Sequence, residues 1–234
     1  MHLHFFDALK KKHSDLKFYK EIALSNEKYI KFNGSLTIIH LNADIKPCVF
    51  IMAQSQQQLN SLKVEQDKGI FIHSTGNSID YSHQKPIGFF NKLKFLFSNN
   101  TQVVNQSENG PIIYICCSQL PSTKIIGSCL FEAKNIKQDD LEIHLNGSGC
   151  LNLKGKVINF RSNLKGSGFI DAQELYCLNL NAVVDGSGSL EAYVNHSVDL
   201  ELSGSGLITI DGNPPCTSFK KSGSGKISIS KRKV

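Results

Sequence analysis

Three Gly-Ser-Gly triplets lie in the stretch GSGCLNLKGKVINFRSNLKGSGFIDAQELYCLNLNAVVDGSG, which covers residues 147–188. Two more follow at Gly204–Gly206 and Gly223–Gly225, and a degenerate copy, Gly127-Ser128-Cys129, precedes them. The five full triplets are spaced 19, 20, 18 and 19 residues apart. A regular period of this length is typical of a solenoid, in which each repeat is one coil that buries its apolar face against its neighbours.

Apolar and polar residues alternate on both sides of each triplet, which predicts two strands per coil. The apolar positions closest to the triplets are Leu145, Leu164, Val184 and Leu202 before them, and Phe131, Leu151, Ile170, Leu190 and Ile208 after them. A coil of about 19 residues has no room for a crossover helix, so equivalent strands must pair in parallel. We therefore predict an all-β fold, a single-stranded parallel β-helix with about 18–20 residues per coil and these residues in buried columns.

The triplets are predicted to form the corners of the coils. Glycine adopts positive φ without steric cost, so at least one glycine of each triplet should have a positive φ. The alternative interpretation of Gly-Ser-Gly is a flexible linker. The constant phase of the flanking strand patterns argues against a linker.

The sequence predicts one domain with an N-terminal arm. Residues 1–27 are charged and more helical in pattern, and residues 28–230 form a single β-solenoid domain. Within it, residues 28–125 are an irregular first half with a loop or helix insertion near 78–110, and residues 126–230 form the regular coils. The aromatic and basic segment 86–97 is a short helix or strand packed on the sheet, a contact for a membrane surface or a partner, or a disordered segment.

Composition excludes several classes of function. The net charge of +6 is modest and no nucleic-acid recognition motif is present, so nucleic acid is not an expected partner. No 18-residue apolar run exists, and residues 1–10 do not resemble a secretory signal. The seven cysteines are an odd number without a C-x-x-C pair, which favours a reducing, cytoplasmic compartment and mostly buried thiols.

No set of residues predicts catalysis. The acidic candidates on outward strand positions are Asp139, Asp140, Glu142, Asp171, Asp185, Asp199 and Asp211, with Glu132, Asp171 and Glu191 at equivalent positions of their coils. Arg161 is a candidate ligand for an anionic sugar. His2 and His4 form a weak metal-site pattern, and Cys116-Cys117 with a distant histidine imitates a thiol catalyst. We assign no catalytic residue, cofactor or metal ligand, and expect the chain not to be an enzyme.

The repeats resemble a known bacterial family. The residues that carry the resemblance are the triplets, the following Phe169-Ile170-Asp171-Ala172 and Leu190-Glu191-Ala192, and the closing Ile210-Asp211-Gly212-Asn213-Pro214. The chain resembles the "putative auto-transporter adhesin, head GIN domain" family over about residues 28–230. The resemblance implies a β-helical domain of the cell envelope without known catalytic residues.

These observations together predict a noncatalytic interaction domain of adhesin-like type. Its expected ligand is an unidentified protein or carbohydrate. Self-association through the rod ends or exposed faces is also an expectation, because an open coil exposes unpaired strand edges. The alternatives are a β-helical carbohydrate-active enzyme and a cytosolic self-assembling scaffold. The location is left open between the cell envelope, which the resemblance implies, and the cytoplasm, which the cysteines favour.

Overall fold

The computed structural model describes residues 2–25, 27–74 and 110–230. The predicted insertion near 78–110 therefore lies almost entirely outside the described residues, and the aromatic and basic segment 86–97 lies wholly outside them. For His2 and His4, only the backbone is described.

The described residues contain two helices and fifteen strands. The helices are α1 (His2–Lys12) and α2 (Gln56–Asn60). The strands of the first half are β1 (Phe18–Ala23), β2 (Tyr29–Asn33), β3 (Thr37–Leu41), β4 (Cys48–Ala53), β5 (Leu62–Gln66), β6 (Ile70–Ser74), β7 (Ile112–Cys116) and β8 (Ser122–Gly127). The strands of the second half are β9 (Leu130–Gly147), β10 (Cys150–Gly166), β11 (Phe169–Gly186), β12 (Ser189–Gly204), β13 (Leu207–Gly212), β14 (Cys216–Ser222) and β15 (Lys226–Ser230).

The second half is the β-solenoid that the triplets predict. Strands β9, β10, β11 and β12 each follow one coil, and each pairs in parallel with the next. The register aligns Leu145 with Leu164, then with Val184 and Leu202, and all four side chains are at most 1% exposed. The second predicted column, Phe131, Leu151, Ile170, Leu190 and Ile208, is equally buried. The predicted fold class is confirmed, with about five turns of solenoid.

The first glycine of every full triplet has a positive φ, which confirms the predicted corners. Gly186 shows why glycine is required there. Its φ is +120°, and a Cβ atom at this position would lie 2.6 Å from the carbonyl oxygen of Gly166 in the coil before. The corner therefore needs both the conformational freedom of glycine and the absence of a side chain.

The first half continues the rod, but the order of its strands in space differs from their order in the chain. Strands β2 and β3 meet at Gly34, a corner with φ +125°, and stack directly on β8 and β9. Strands β6 and β7 come later in the chain, yet they pair in parallel on the other side of β2 and β3. Strands β5 and β4 then pair antiparallel with β6 and β7, and β1 pairs antiparallel with β4. The parallel solenoid thus ends in antiparallel strands on its N-terminal side.

The N-terminal arm differs from the helix-like pattern of residues 1–27. Helix α1 ends at Lys12, and residues 18–23 form strand β1 instead of helix. The arm lies on the sheet: the ring centroids of Phe6 and Phe50 are 4.4 Å apart, and the hydroxyl of Tyr114 lies 2.6 Å from Nε2 of His13. A second apolar cluster forms between the arm and strands β4 and β7, separate from the interior of the solenoid. The arm therefore contains both a helix and a strand, because α1 packs on the apolar cluster and β1 pairs with the edge of β4.

Candidate functional site

An exterior groove of about 590 Å³ runs across the coils of the second half. It is lined by residues 159–161, 179–181, 197–199 and 216–218, one set from each of four successive coils. In each of the first three sets the middle residue, Phe160, Leu180 or Val198, belongs to the buried core, and its two neighbours are polar and less buried. The same alternation that builds the core therefore places two rows of polar side chains along the groove.

The first row is a hydrogen-bonded ladder of stacked side chains. The Nδ2 atom of Asn159 donates to Oδ1 of Asp140 at 3.1 Å, and Nδ2 of Asn179 donates to Oδ1 of Asn159 at 2.9 Å. The hydroxyl of Ser197 then donates to Oδ1 of Asn179 at 2.7 Å, and Nδ1 of His196 lies 3.1 Å from the same oxygen. Because each side chain is held by the coil above or below, the orientation of the ladder is fixed before any ligand arrives.

The second row contains Arg161 and Asp199, two charged residues of the groove. The Nη2 atom of Arg161 lies 3.3 Å from Oδ1 of Asp140, and Nδ2 of Asn181 donates to Oδ2 of Asp199 at 3.2 Å. The side chains of Arg161 and Asp140 are both more than half exposed. A guanidinium has five N–H donors, so Arg161 keeps hydrogen-bonding capacity beyond its contact with Asp140. This row presents donors and acceptors to the solvent side of the groove.

Glu142 lies next to Arg161 in the register of β9 and β10. A hydrogen bond from Ser122 is the main cause that lowers its pKa, and His144 and Arg161 lower it further against the opposing effect of desolvation. A carboxyl group with a lowered pKa is ionised at neutral pH and is poorly suited to act as a general acid. Glu142 therefore belongs to a polar cluster with His144, whose Nε2 lies 3.1 Å from its Oε1.

The other acidic candidates lie away from the groove. The register aligns Glu132 with Asn152, then with Asp171 and Glu191, so the predicted stack of acids exists with an asparagine inside it. Glu132 pairs with Lys134 at 2.6 Å, which compensates its charge. Asp211 accepts a hydrogen bond from the hydroxyl of Ser230 at 2.8 Å. Within residues 2–25, 27–74 and 110–230, no group of three or more metal-ligating side chains converges.

The cysteines are mostly core residues. Six of the seven are buried, and Cys216 is exposed at the groove. Cys129 and Cys150 follow adjacent corners and are neighbours on successive coils, where the backbone N–H of Cys150 donates to the carbonyl oxygen of Cys129 at 2.8 Å. The register pairs Cys150 with Leu130, and the thiol of Cys129 donates to the carbonyl oxygen of Gly34 at 3.1 Å. Burial raises the pKa of Cys117 to about 12, which leaves its thiol protonated and unreactive at neutral pH.

Arg161, Asp140 and Asp199 were candidates from the sequence, but their convergence was not predicted, and the asparagines of the ladder were missed. The sequence does contain a signal for the residues of the groove, at fixed distances before each triplet. The seventh residue before each full triplet is Asp140, Asn159, Asn179, Ser197 or Cys216, and the fifth is Glu142, Arg161, Asn181, Asp199 or Ser218. Comparing equal offsets across the coils therefore identifies both rows of the groove.

Comparison with known proteins agrees with this architecture. Residues 102–214 match the family model described as "Putative auto-transporter adhesin, head GIN domain". No curated protein matches the chain. Among the described residues, no helix is long and apolar enough to cross a membrane.

Two solved structures share the fold. A putative adhesin from Bacteroides fragilis is 19% identical, with a TM-score of 0.61 over 91% of this chain and 96% of that one. A putative adhesin from Parabacteroides distasonis is 16% identical, with a TM-score of 0.52 over the same shares of the two chains. These likenesses support the fold, and the family match confirms the resemblance predicted from the triplets. The chain therefore resembles the putative auto-transporter adhesin, head GIN domain family over residues 102–214.

Proposed function

We propose that this chain is a noncatalytic binding domain that holds an extended, neutral carbohydrate chain in its exterior groove. The observation that carries the proposal is the pair of polar rows along the groove, of which the ladder from Asp140 to Ser197 is already oriented by its own hydrogen bonds. Binding to such a surface requires little ordering of side chains, and this lowers the entropic cost of association.

The chemistry of the lining favours a carbohydrate. Amides and hydroxyls offer both donors and acceptors, which match the hydroxyl groups of a sugar chain. The coil-to-coil ladders already use the main-chain hydrogen bonds here, so a peptide strand cannot pair with the backbone at the centre of the groove. The charges of Asp140, Glu142, Arg161 and Asp199 sum to two negative units, which disfavours an acidic polysaccharide.

The second part of the proposal is that the groove does not catalyse hydrolysis of the bound carbohydrate. A glycosidase needs two carboxyl groups at a defined separation, one of them held protonated as the acid. Glu142 is the acid beside the groove whose pKa is shifted, and the shift is downward, opposite to the need of a general acid. Attachment at the cell envelope is the role that suits a rod with a binding groove, and the family description supports it.

Affinity electrophoresis in gels that contain soluble polysaccharide tests the binding proposal. We expect a neutral mannan or glucan to retard the protein, and polygalacturonate to retard it less. Asn181→Ala and Arg161→Ala each remove about 0.5–1.5 kcal/mol of hydrogen bonding, which is about a twofold to tenfold loss of affinity. Lys165→Ala, on an outward position outside the groove, is the matched control and should bind like the wild type.

Three results would contradict the proposed function. If no neutral polysaccharide retards the wild type, or if the groove variants migrate like the control, the groove is not the binding site. Release of new reducing ends during incubation would favour the carbohydrate-active enzyme instead. Fractionation of cells with an antibody against the native protein tests the envelope location, because recovery in the cytosol would favour the scaffold alternative.

A further inference from the structure

Two cysteines face each other beneath the N-terminal arm. Cys48 in β4 lies directly opposite Cys116 in the antiparallel strand β7, and their exposures are 1% and 0%. Both belong to the apolar cluster that includes Phe6 and Leu9 of α1. The next residue, Cys117, belongs instead to the interior cluster of the solenoid, because neighbouring strand residues point to opposite faces.

The separation of the pair suits a covalent bond. Residues directly opposite in an antiparallel pair have Cα atoms about 4.5 or 5.5 Å apart, and disulfides span Cα distances of about 4.4–6.8 Å. The two residues are direct register partners in the pairing of β4 with β7. Among the described residues, no other two cysteines occupy paired register positions.

The two sulfurs differ in reactivity. The neighbouring Cys116 lowers the pKa of Cys48 against desolvation, whereas the neighbouring Cys48 and burial raise the pKa of Cys116. The thiolate is the attacking species in thiol–disulfide exchange. The neighbouring Cys117 has a pKa raised to about 12 by burial, so it does not compete.

We propose that Cys48 and Cys116 are a disulfide-forming site that responds to low-molecular-weight disulfides. The Cys48 thiolate attacks one sulfur of such a disulfide, forms a mixed disulfide and releases one thiolate, which takes up a proton. Deprotonated Cys116 then attacks the sulfur of Cys48, and the second small thiol leaves with a proton. Two protein thiols are oxidised to one disulfide, and one small disulfide is reduced to two thiols.

The arm controls access to this site. The arm covers the pair through Phe6 of α1, which packs on Phe50 of β4, and through His13, which follows α1 and contacts Tyr114. A small disulfide reaches Cys48 only when the arm opens. The cross-link would join β4 to β7 and close the loop of residues 48–116. Oxidation would therefore leave a disulfide bond that holds these two strands together at the N-terminal side of the rod.

The test is incubation of the native protein with glutathione disulfide, followed by alkylation, non-reducing digestion and mass spectrometry. We expect the wild type to lose the mass of two hydrogen atoms and to yield a cross-linked peptide pair containing Cys48 and Cys116. Cys116→Ala should stop at the mixed glutathione disulfide on Cys48. Cys117→Ala, one residue away on the opposite face, is the matched control and should form the cross-link. Phe6→Ala should form it faster, because the arm opens more often.

The peptide map of the wild type keeps the proposal falsifiable if a variant fails to fold. A cross-link that involves Cys117 or another cysteine overturns the proposal. The proposal is also overturned if both the wild type and the Phe6→Ala variant remain fully reduced in glutathione disulfide. It is likewise overturned if the wild type retains a glutathione adduct on Cys48 and forms no cross-link. Equal rates in the wild type and Phe6→Ala would overturn control by the arm.

Discussion

The regular coils and the N-terminal region are built from the same stacked ladders, but they differ in how far apart in the chain the paired strands lie. Gly186 pairs with Gly204, 18 positions later, whereas Tyr29 pairs with Ser122, 93 positions later. Pairing across a longer loop costs more entropy and is formed more slowly. The coils are therefore a nearly one-dimensional stack, and the N-terminal region is an assembly that depends on distant partners.

The largest expected effect comes from a corner of the regular coils. Gly186→Val should destabilise the fold by about 4 kcal/mol or more, because a side chain there meets the carbonyl oxygen of Gly166 and must adopt a positive φ. Ser187→Ala, in the same triplet, is the control and should change stability by less than about 0.5 kcal/mol. Denaturant unfolding measures both, and equal tolerance would show that the corner does not depend on glycine.

A buried column should give the next largest effect. Leu164→Ala should cost about 2–5 kcal/mol, because it removes transfer free energy and leaves a cavity between Leu145 and Val184. The neighbouring outward residue gives the control, Asn163→Ala, with an expected change of less than about 0.5 kcal/mol. Urea unfolding compares the two, and a similar loss in both would contradict the coil phase.

A smaller, pH-dependent effect should distinguish the N-terminal region from the coils. Burial and the nearby Lys12 lower the pKa of His13 against the opposing charge of Asp15, so the folded state favours neutral His13. The unfolded state then binds more protons below the ordinary histidine pKa of about 6.5, and docking of the arm weakens as pH falls through that value. Hydrogen exchange should increase in α1 before it increases in β10 and β11, and His13→Phe should reduce this pH dependence.

A second buried histidine, His40, should extend the acid-induced loosening beyond the arm. It is buried in β3, desolvation lowers its pKa, and its Nε2 lies 3.0 Å from the carbonyl oxygen of Cys117. Both histidines belong to the N-terminal region, so acidification should loosen that region as a whole. Exchange that rises first in the coils would contradict this comparison.

The smallest effect is expected at the edge of the groove. The pKa of Glu142 is lowered, so its contribution to stability is present above the ordinary glutamate pKa of about 4.3 and is lost as pH falls below it. Glu142→Gln should slightly lower the melting temperature at neutral pH and have no effect at strongly acidic pH. The side chain is 41% exposed, so a large change at neutral pH would mean that it holds more of the fold than its contacts suggest.

What the sequence predicts well follows from this same difference between the regions. The columns through Leu164 and Ile170 could be predicted because each coil repeats the spacing of the one before. The pairing of β6 with β2 and of β7 with β3 could not, because no repeated triplet marks those strands and their order in space is not their order in the chain. The Asn33-Gly34 dipeptide is a sequence signal for a turn, but the place of Gly34 in the stack of corners needs the distant partner Gly127.

The groove could be predicted from the sequence only in part. Arg161 and Asp199 were recognisable as charged outward residues, but their alignment follows only from the register of the coils. Asn159 and Asn179 carry no motif of their own, and their role follows from stacking at equal offsets. In a solenoid, a binding surface is therefore encoded across repeats and not within any one of them.

The corner hydrogen bonds, such as Ser187 N to Gly166 O and Ser205 N to Gly186 O, run from coil to coil along the rod. A load applied between the two ends of the chain would consequently act on one coil boundary at a time and not on the whole molecule. Each coil that detaches would release about 19 residues, or about 65 Å of extended chain at about 3.4 Å per residue. The regular coils would therefore lengthen in nearly equal steps under tension, and the coils that have not yet detached would keep their shape.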